Sequence, residues 1–310
     1  MKSFNEYILE NYDSINESSS VETKNNADRK KQLENMLRDK DYKDYIDTLN
    51  KMLDDPKAKA LLIDGFGGEL GDTKLTFEKI KLKVRNLDPT QSEIDVTKSI
   101  NFPLKKPENI DNYYSTGPND VMIVGMPLIT FRRNFVIDGH HRWSQVYAFN
   151  PEAEMVCFNY DGDIASGEML RAVQGAIAAV KADDTNKNDG KLPSEKVEGQ
   201  NLYDKQWDKE AIIEYVKKNA VSSVIDTLKK YHKELDDMDK VAEYVANNLM
   251  RLKRINVPIS GAPSRGDMPQ TDKGGPDPND VKSSMPDKEG SALNKLKDGE
   301  IVKAAVEMPS

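Results

Sequence analysis

Residues 128–149 are the part of this chain that most restricts its fold. Short apolar runs at 128–131 and 135–137 flank Arg132-Arg133-Asn134, and Asp138-Gly139 then leads directly into Trp143, Val146 and Tyr147 at helical spacing. The flanking runs predict a hairpin or a strand with a bulge, and the i, i+3, i+4 pattern predicts a helix with one buried face. A strand that ends at Asp-Gly and becomes a helix without an intervening loop requires sheet and helix to pack together. The expected fold class is therefore α/β.

The neighbouring segments extend that pattern. Leu82, Val84 and Leu87 suggest a strand closed by Asp88-Pro89, and 121–124 is a further apolar run. Asn150-Pro151 stops the helix, 155–160 reads as another strand, and Met169, Leu170, Val173, Ile177 and Val180 define a second amphipathic helix. The predicted small α/β domain covers 77–182. Before it stand a short N-terminal helix and flexible arm, 1–30, and a helical segment, 31–76, while the glycines after Leu61-Leu62-Ile63 read as a turn because no Gly-Lys-Ser/Thr follows them. After it come a linker at 183–203 and a helical module at 204–257 with apolar stripes on Ile212, Val216, Val224, Leu228, Val241, Val245 and Leu249. The tail, 258–310, is rich in Pro, Gly, Ser and Asp and is expected to be largely disordered.

Composition narrows the function classes. With 37% hydrophobic and 32% charged residues the chain is too polar for two full cores. No apolar run approaches the roughly 18 to 20 residues of a membrane span, and the first residues lack the pattern of a signal peptide. A cytoplasmic protein without membrane contact is expected. Its one cysteine, Cys157, excludes an intramolecular disulfide framework and any zinc site made of several thiolates. A net charge of -8 argues against general affinity for nucleic-acid backbone.

Two of the three histidines are neighbours in Asp138-Gly139-His140-His141-Arg142. A helix start attracts anions through its dipole and its first N–H groups, so this segment is a candidate phosphate site. Asp138 is suited to cap the helix and Gly139 to allow close approach. Arg142 brings a planar, multi-donor cation, and His140 or His141 can donate to a phosphate or move a proton. The plainer reading is a capped helix start with one buried and one exposed histidine. Adjacent histidines point to different faces of a helix, which argues against a histidine metal site.

The stretch PLITFRRNFVIDGHHRWSQVYAF resembles the core of the ParB/sulfiredoxin superfamily, in the branch reading Asp-Gly-His-His-Arg-Trp that includes free-serine kinases and phage proteins described as ParB-like nucleases. KVRNLDPTQSEIDVTKSI is similar to the first strand and nucleotide-pocket loop of the same domain. The resemblance implies a bound nucleoside di- or triphosphate (ATP, ADP or CTP) with Mg2+, held through Asp138, Gly139, His141, Arg142, Gln91, Lys98 and Ser99. It implies NTP hydrolysis or phosphoryl transfer to a small hydroxyl substrate. The kinase branch uses a glutamate soon after the loop proline; the closest matching position here is Gln91, with Glu93 two residues on, so His140 or Glu93 is the expected proton handler and Asp138 or Glu93 the expected Mg2+ contact. A sulfinic-acid reductase would need a cysteine where His140 stands, and a CTP-dependent DNA clamp would need a DNA-reading helical motif where an acidic linker follows. The opening MKSFNEYILE is similar to structural proteins of T4-like tailed phages, which implies host cytoplasm or virion as the location. The competing class is a non-catalytic virion or interaction protein that meets a protein partner through its N-terminal arm or C-terminal tail.

Overall fold

The computed structural model describes residues 75–115, 128–173 and 199–255. The predicted N-terminal helices, the 121–124 run, the end of the second amphipathic helix and the tail lie outside them. The chain divides into two units, one of Phe77–Asp161 with Glu195–Gly266, the other of Met1–Thr76, Gly162–Ser194 and Asp267–Ser310. The helical module therefore belongs with the sheet, while 162–182, expected in the α/β domain, falls in the other unit. There, a helix over 166–173 begins where the Glu168 carboxylate accepts from the Ala165 amide at 2.6 Å.

The sheet has the order β1-β5-β3-β4-β2 and mixed direction. In chain order the strands are β1 Leu75–Lys83, β2 Asp88–Pro89, β3 Leu128–Phe131, β4 Phe135–Asp138 and β5 Glu154–Gly162. β2 runs parallel to β4, β4 antiparallel to β3, and β3 parallel to β5. β1 is an edge strand, with Lys79 and Lys81 exposed and Ile80 and Leu82 half-buried. Lysines on an edge discourage pairing with another chain. The strand expected over 82–87 ends at Lys83; Val84–Asn86 form a 3-10 turn, and Asp88–Pro89 make a second edge strand of their own. Pro89, which has no N–H to give a ladder, is tolerated at that edge.

The hairpin is present as expected, with a bulge between Ile129 and Thr130. Its turn puts Arg132 and Arg133 at φ 53° and 56°, left-handed backbone that non-glycine residues seldom adopt. Side chains from the neighbouring strands hold it. The Arg133 amide donates to Asn159 Oδ1 at 2.7 Å, and its guanidinium donates to both oxygens of Glu78 at 2.7 and 2.8 Å. That hydrogen bonding keeps the Glu78 carboxyl below its ordinary range.

Helix α1, Val96–Lys105, is capped by the Asp95 carboxylate, and α2, Ile110–Tyr113, follows. Helix α3, His140–Phe149, is nearly all buried. Its Trp143 indole donates to the Val84 carbonyl at 2.8 Å, which ties the helix to the turn after β1. Counting the 166–173 helix as α4, the module contributes α5 Lys209–Asn219, α6 Ser223–Lys229 and α7 Met238–Lys253. Asp208 and Asp237 cap α5 and α7, and the predicted stripes on Ile212, Val216, Val241, Val245 and Leu249 are buried. At the end of α3 the Phe149 carbonyl accepts from Tyr114 at 2.6 Å and Tyr244 at 3.0 Å, and the third histidine, His232, lies 2.9 Å from the Tyr114 hydroxyl. Among the described residues no helix is long and apolar enough to cross a membrane.

Cys157 is fully buried in β5, and burial pushes its thiol up to about 12. Because the thiolate is the reactive form, a thiol reagent at about pH 8 is expected to label native protein only at the rate of unfolding. Labelling in denaturant should be complete within the mixing time, and rapid labelling of native protein would contradict the burial of β5.

Candidate functional site

The site is built where β4 ends and α3 begins. Gly139 holds the N-cap position with φ +93° and has no side chain to cap the helix. Asp138 accepts from Arg142 Nη2 at 3.2 Å, and both side chains are about four-fifths buried, with 19% and 20% of their surface exposed. The guanidinium lies close against Gly139. A Cβ on this residue would stand 2.7 Å from Arg142 Nη2 and 2.7 Å from Leu128 Cδ2. The glycine is thus required twice, by its backbone conformation and by the close approach of arginine.

His140 is buried, at 2% exposure, and its Nε2 accepts the Thr90 amide at 3.0 Å. An acceptor at Nε2 places the ring proton on Nδ1 and makes the imidazole neutral. The Thr90 hydroxyl donates to the Val136 carbonyl at 2.6 Å, so Thr90 joins the loop after β2 to both β4 and α3. His140 holds the loop to the helix, and its Nε2 is engaged in that bond rather than turned toward a substrate hydroxyl. His141 is half-buried in the first turn of α3.

The loop residues separate into two groups. Gln91 is 6% exposed beside Thr90, its amide oxygen buried without a hydrogen-bond partner, and Glu93 is half-buried. Lys98 and Ser99, expected as phosphate contacts, are placed differently. The Lys98 amide is committed to the Asp95 cap at 2.9 Å while its side chain is exposed. Ser99 has no exposed surface; its hydroxyl reaches the Asp95 carbonyl at 2.7 Å and Ser144 Oγ at 2.7 Å, joining α1 to α3. That position leaves Ser99 no open side for a ligand.

A segment that sequence reading assigned to the linker also reaches this loop. Val96 donates to the Gln200 carbonyl at 2.9 Å and Leu202 to the Ile94 carbonyl at 2.8 Å, around an antiparallel bridge between Asp95 and Asn201. Asn201 Oδ1 accepts from the Ile94 amide at 3.1 Å and the Tyr203 amide at 3.2 Å, while its Nδ2 donates to the Ser92 carbonyl at 3.4 Å. Nothing local in the sequence marks Asn201 as a loop anchor, because its partners in the loop, Ile94 and Ser92, lie more than a hundred positions away.

Among the described residues no three His, Cys, Asp or Glu side chains gather closely enough to hold a metal ion. A Mg2+ at Asp138 or Glu93 fits this donor set only if phosphate oxygens complete its shell. No family model, curated protein or solved structure gives a significant match to the chain.

Replacing Gly139 with Ala is expected to destabilise the fold by roughly 2–4 kcal/mol, from left-handed backbone strain plus the overlap with Arg142 and Leu128. Urea unfolding measures it. A loss under about 1 kcal/mol would mean that the helix start relaxes freely around a methyl group.

Proposed function

We propose that the Asp138–Arg142 segment and the loop at 90–95 form a nucleotide pocket of the ParB/sulfiredoxin kind, serving NTP hydrolysis or phosphoryl transfer to a small hydroxyl acceptor. The observation that carries this reading is the Arg142 guanidinium packed on a side-chain-free helix start. A planar cation with several donors beside the positive end of a helix dipole favours a phosphate group. The Asp-Gly-His-His-Arg-Trp resemblance supports the same reading, and with it a cytoplasmic or virion location.

In this proposal phosphate oxygens take the first-turn amides of α3 together with Arg142 and His141. Asp138, paired with Arg142 in the free protein, would be available to a phosphate-bound Mg2+ if a phosphate took its place on the guanidinium. His140 keeps the loop in place, and Glu93 is the carboxylate left to accept a hydroxyl proton.

A second reading rests on Gln91. The buried side chain that follows Thr90 in the loop is an amide, which cannot take a proton from a hydroxyl. If Glu93 does not reach the terminal phosphate, the same pocket binds nucleotide without turnover and the chain acts as an interaction or virion protein.

Thermal unfolding of the full chain with ATP, ADP, CTP and GTP plus Mg2+ tests the pocket. At a ligand concentration about 100 times Kd, binding adds about 2.7 kcal/mol of stability. One nucleotide is expected to raise the midpoint in wild type. Arg142→Lys should keep part of that rise and Arg142→Ala should lose it. No rise with any nucleotide on folded wild-type protein would overturn the proposal, and binding without phosphate release or transfer would select the second reading.

A further inference from the structure

We infer that Asn201 is a positioning residue of the proposed pocket, and that the chain on the far side of 174–198 completes the site by fastening its loop. The inference rests on the nucleotide reading and identifies the part of the protein on which binding depends.

The loop at 90–95 carries Gln91 and Glu93 and is anchored at both ends. At its start, the Thr90 amide is fixed by His140 Nε2 at 3.0 Å. At its end, Asp95 caps α1 by accepting the Lys98 amide at 2.9 Å. Between these anchors the backbone has to be satisfied from elsewhere, because a loop against a core cannot leave its amides and carbonyls unpaired. The partner is the segment at 199–204. Leu202 pairs with Ile94 and Gln200 with Val96 through backbone bonds of 2.8 and 2.9 Å. The Asn201 side chain alone serves the Ile94 amide, the Tyr203 amide and the Ser92 carbonyl.

The register of this bridge decides which side chains share a face. Ile94 and Leu202 are paired and both fully buried, so they point to the core. Asp95 and Asn201 are the bridged pair and stand on the opposite face. The carboxylate proposed to accept the proton, Glu93, directly follows Ser92, whose carbonyl Asn201 holds, and precedes Ile94, whose amide Asn201 accepts. Burial pushes the Tyr203 phenol well above its ordinary range, so it remains a neutral hydroxyl. That hydroxyl and the Gln91 amide oxygen are both buried without hydrogen-bond partners. Buried polar atoms left unpaired on the two segments joined by one bridge are the kind that a ligand or an ordered water satisfies.

Sequence order makes the arrangement informative. Asn201 is 107 positions from Ile94, so no local preference brings the two together. The bridge forms only when the helical module returns to the sheet. Positioning of Glu93 and Gln91 thus depends on a residue that has no counterpart in the Asp-Gly-His-His-Arg-Trp segment.

The test compares full-length wild type, Asn201→Ala and Asn248→Ala. The control removes the buried bond from Asn248 Nδ2 to the Ala148 carbonyl at 3.0 Å, which joins α7 to the C-terminal end of α3 and leaves the loop's own bonds intact. Amide hydrogen exchange is read at residues 90–96, and Kd is measured for the nucleotide with Mg2+ that most stabilises wild type. Asn201→Ala is expected to speed exchange at Thr90 and Ile94 and to weaken binding about tenfold or more, as losing one or two bonds in the loop implies. Asn248→Ala should lower the unfolding midpoint with Kd unchanged. Equal affinity for Asn201→Ala and wild type, or equal weakening in both variants, would overturn the inference while the nucleotide reading stands. Absence of binding to wild type is the distinct result that overturns both.

Discussion

The hydrogen bond from the Thr90 amide to His140 Nε2, at 3.0 Å, is the contact on which the rest of the site depends. It joins the loop after the edge strand β2 to the first residue of α3, and both ends are buried. Its loss would leave a buried donor or acceptor unsatisfied, at a cost of about 1–3 kcal/mol. It also fixes the ring proton on Nδ1, so the histidine is consumed in architecture. Around it, the Thr90 hydroxyl on Val136, the Ser99–Ser144 pair and the Trp143 indole on Val84 bind α3 to the sheet edge and to α1. The start of α3 is consequently one of the most firmly placed points in the unit.

Two features of that helix start oppose each other and give the site its character. The helix dipole and Arg142 favour an anion, while Asp138, four residues back along the chain, neutralises the arginine. In the proposed pocket an incoming phosphate has to compete with this carboxylate for the guanidinium, and a cation arriving with the phosphate would balance the displaced carboxylate. In the same proposal turnover rests on Glu93, because Gln91 beside Thr90 carries no charge.

Much of the sheet was legible because its signals are local. The hairpin around Arg132-Arg133-Asn134, the helix beginning at His140, a strand through 155–160 and the stripes of the helical module follow from period, turn chemistry and caps within about a dozen residues. The failures share a cause. β1 gives way at Lys83 to a 3-10 turn whose Val84 carbonyl takes the distant Trp143 indole, and β2 exists only as a partner for β4. Ser99 was read as a phosphate contact, yet it is buried and paired with Ser144 from another helix. Asn201 reads as linker because the loop that it fastens is a hundred residues earlier. At the candidate site, the junction of strand and helix at Asp138-Gly139-His140 was legible, but the bond of His140 to the loop was not, since its partner is the Thr90 amide fifty positions earlier.

The most direct test of this account is the imidazole 15N spectrum of His140 at about pH 7, assigned by comparison with His140→Gln and read through its long-range couplings to the ring protons. The account predicts a single neutral tautomer with the proton on Nδ1 and an unprotonated Nε2 that accepts the Thr90 amide. A ring protonated at Nε2, or one averaging between tautomers as an exposed histidine does, would contradict it and would detach the loop from the helix start on which the proposed pocket is built.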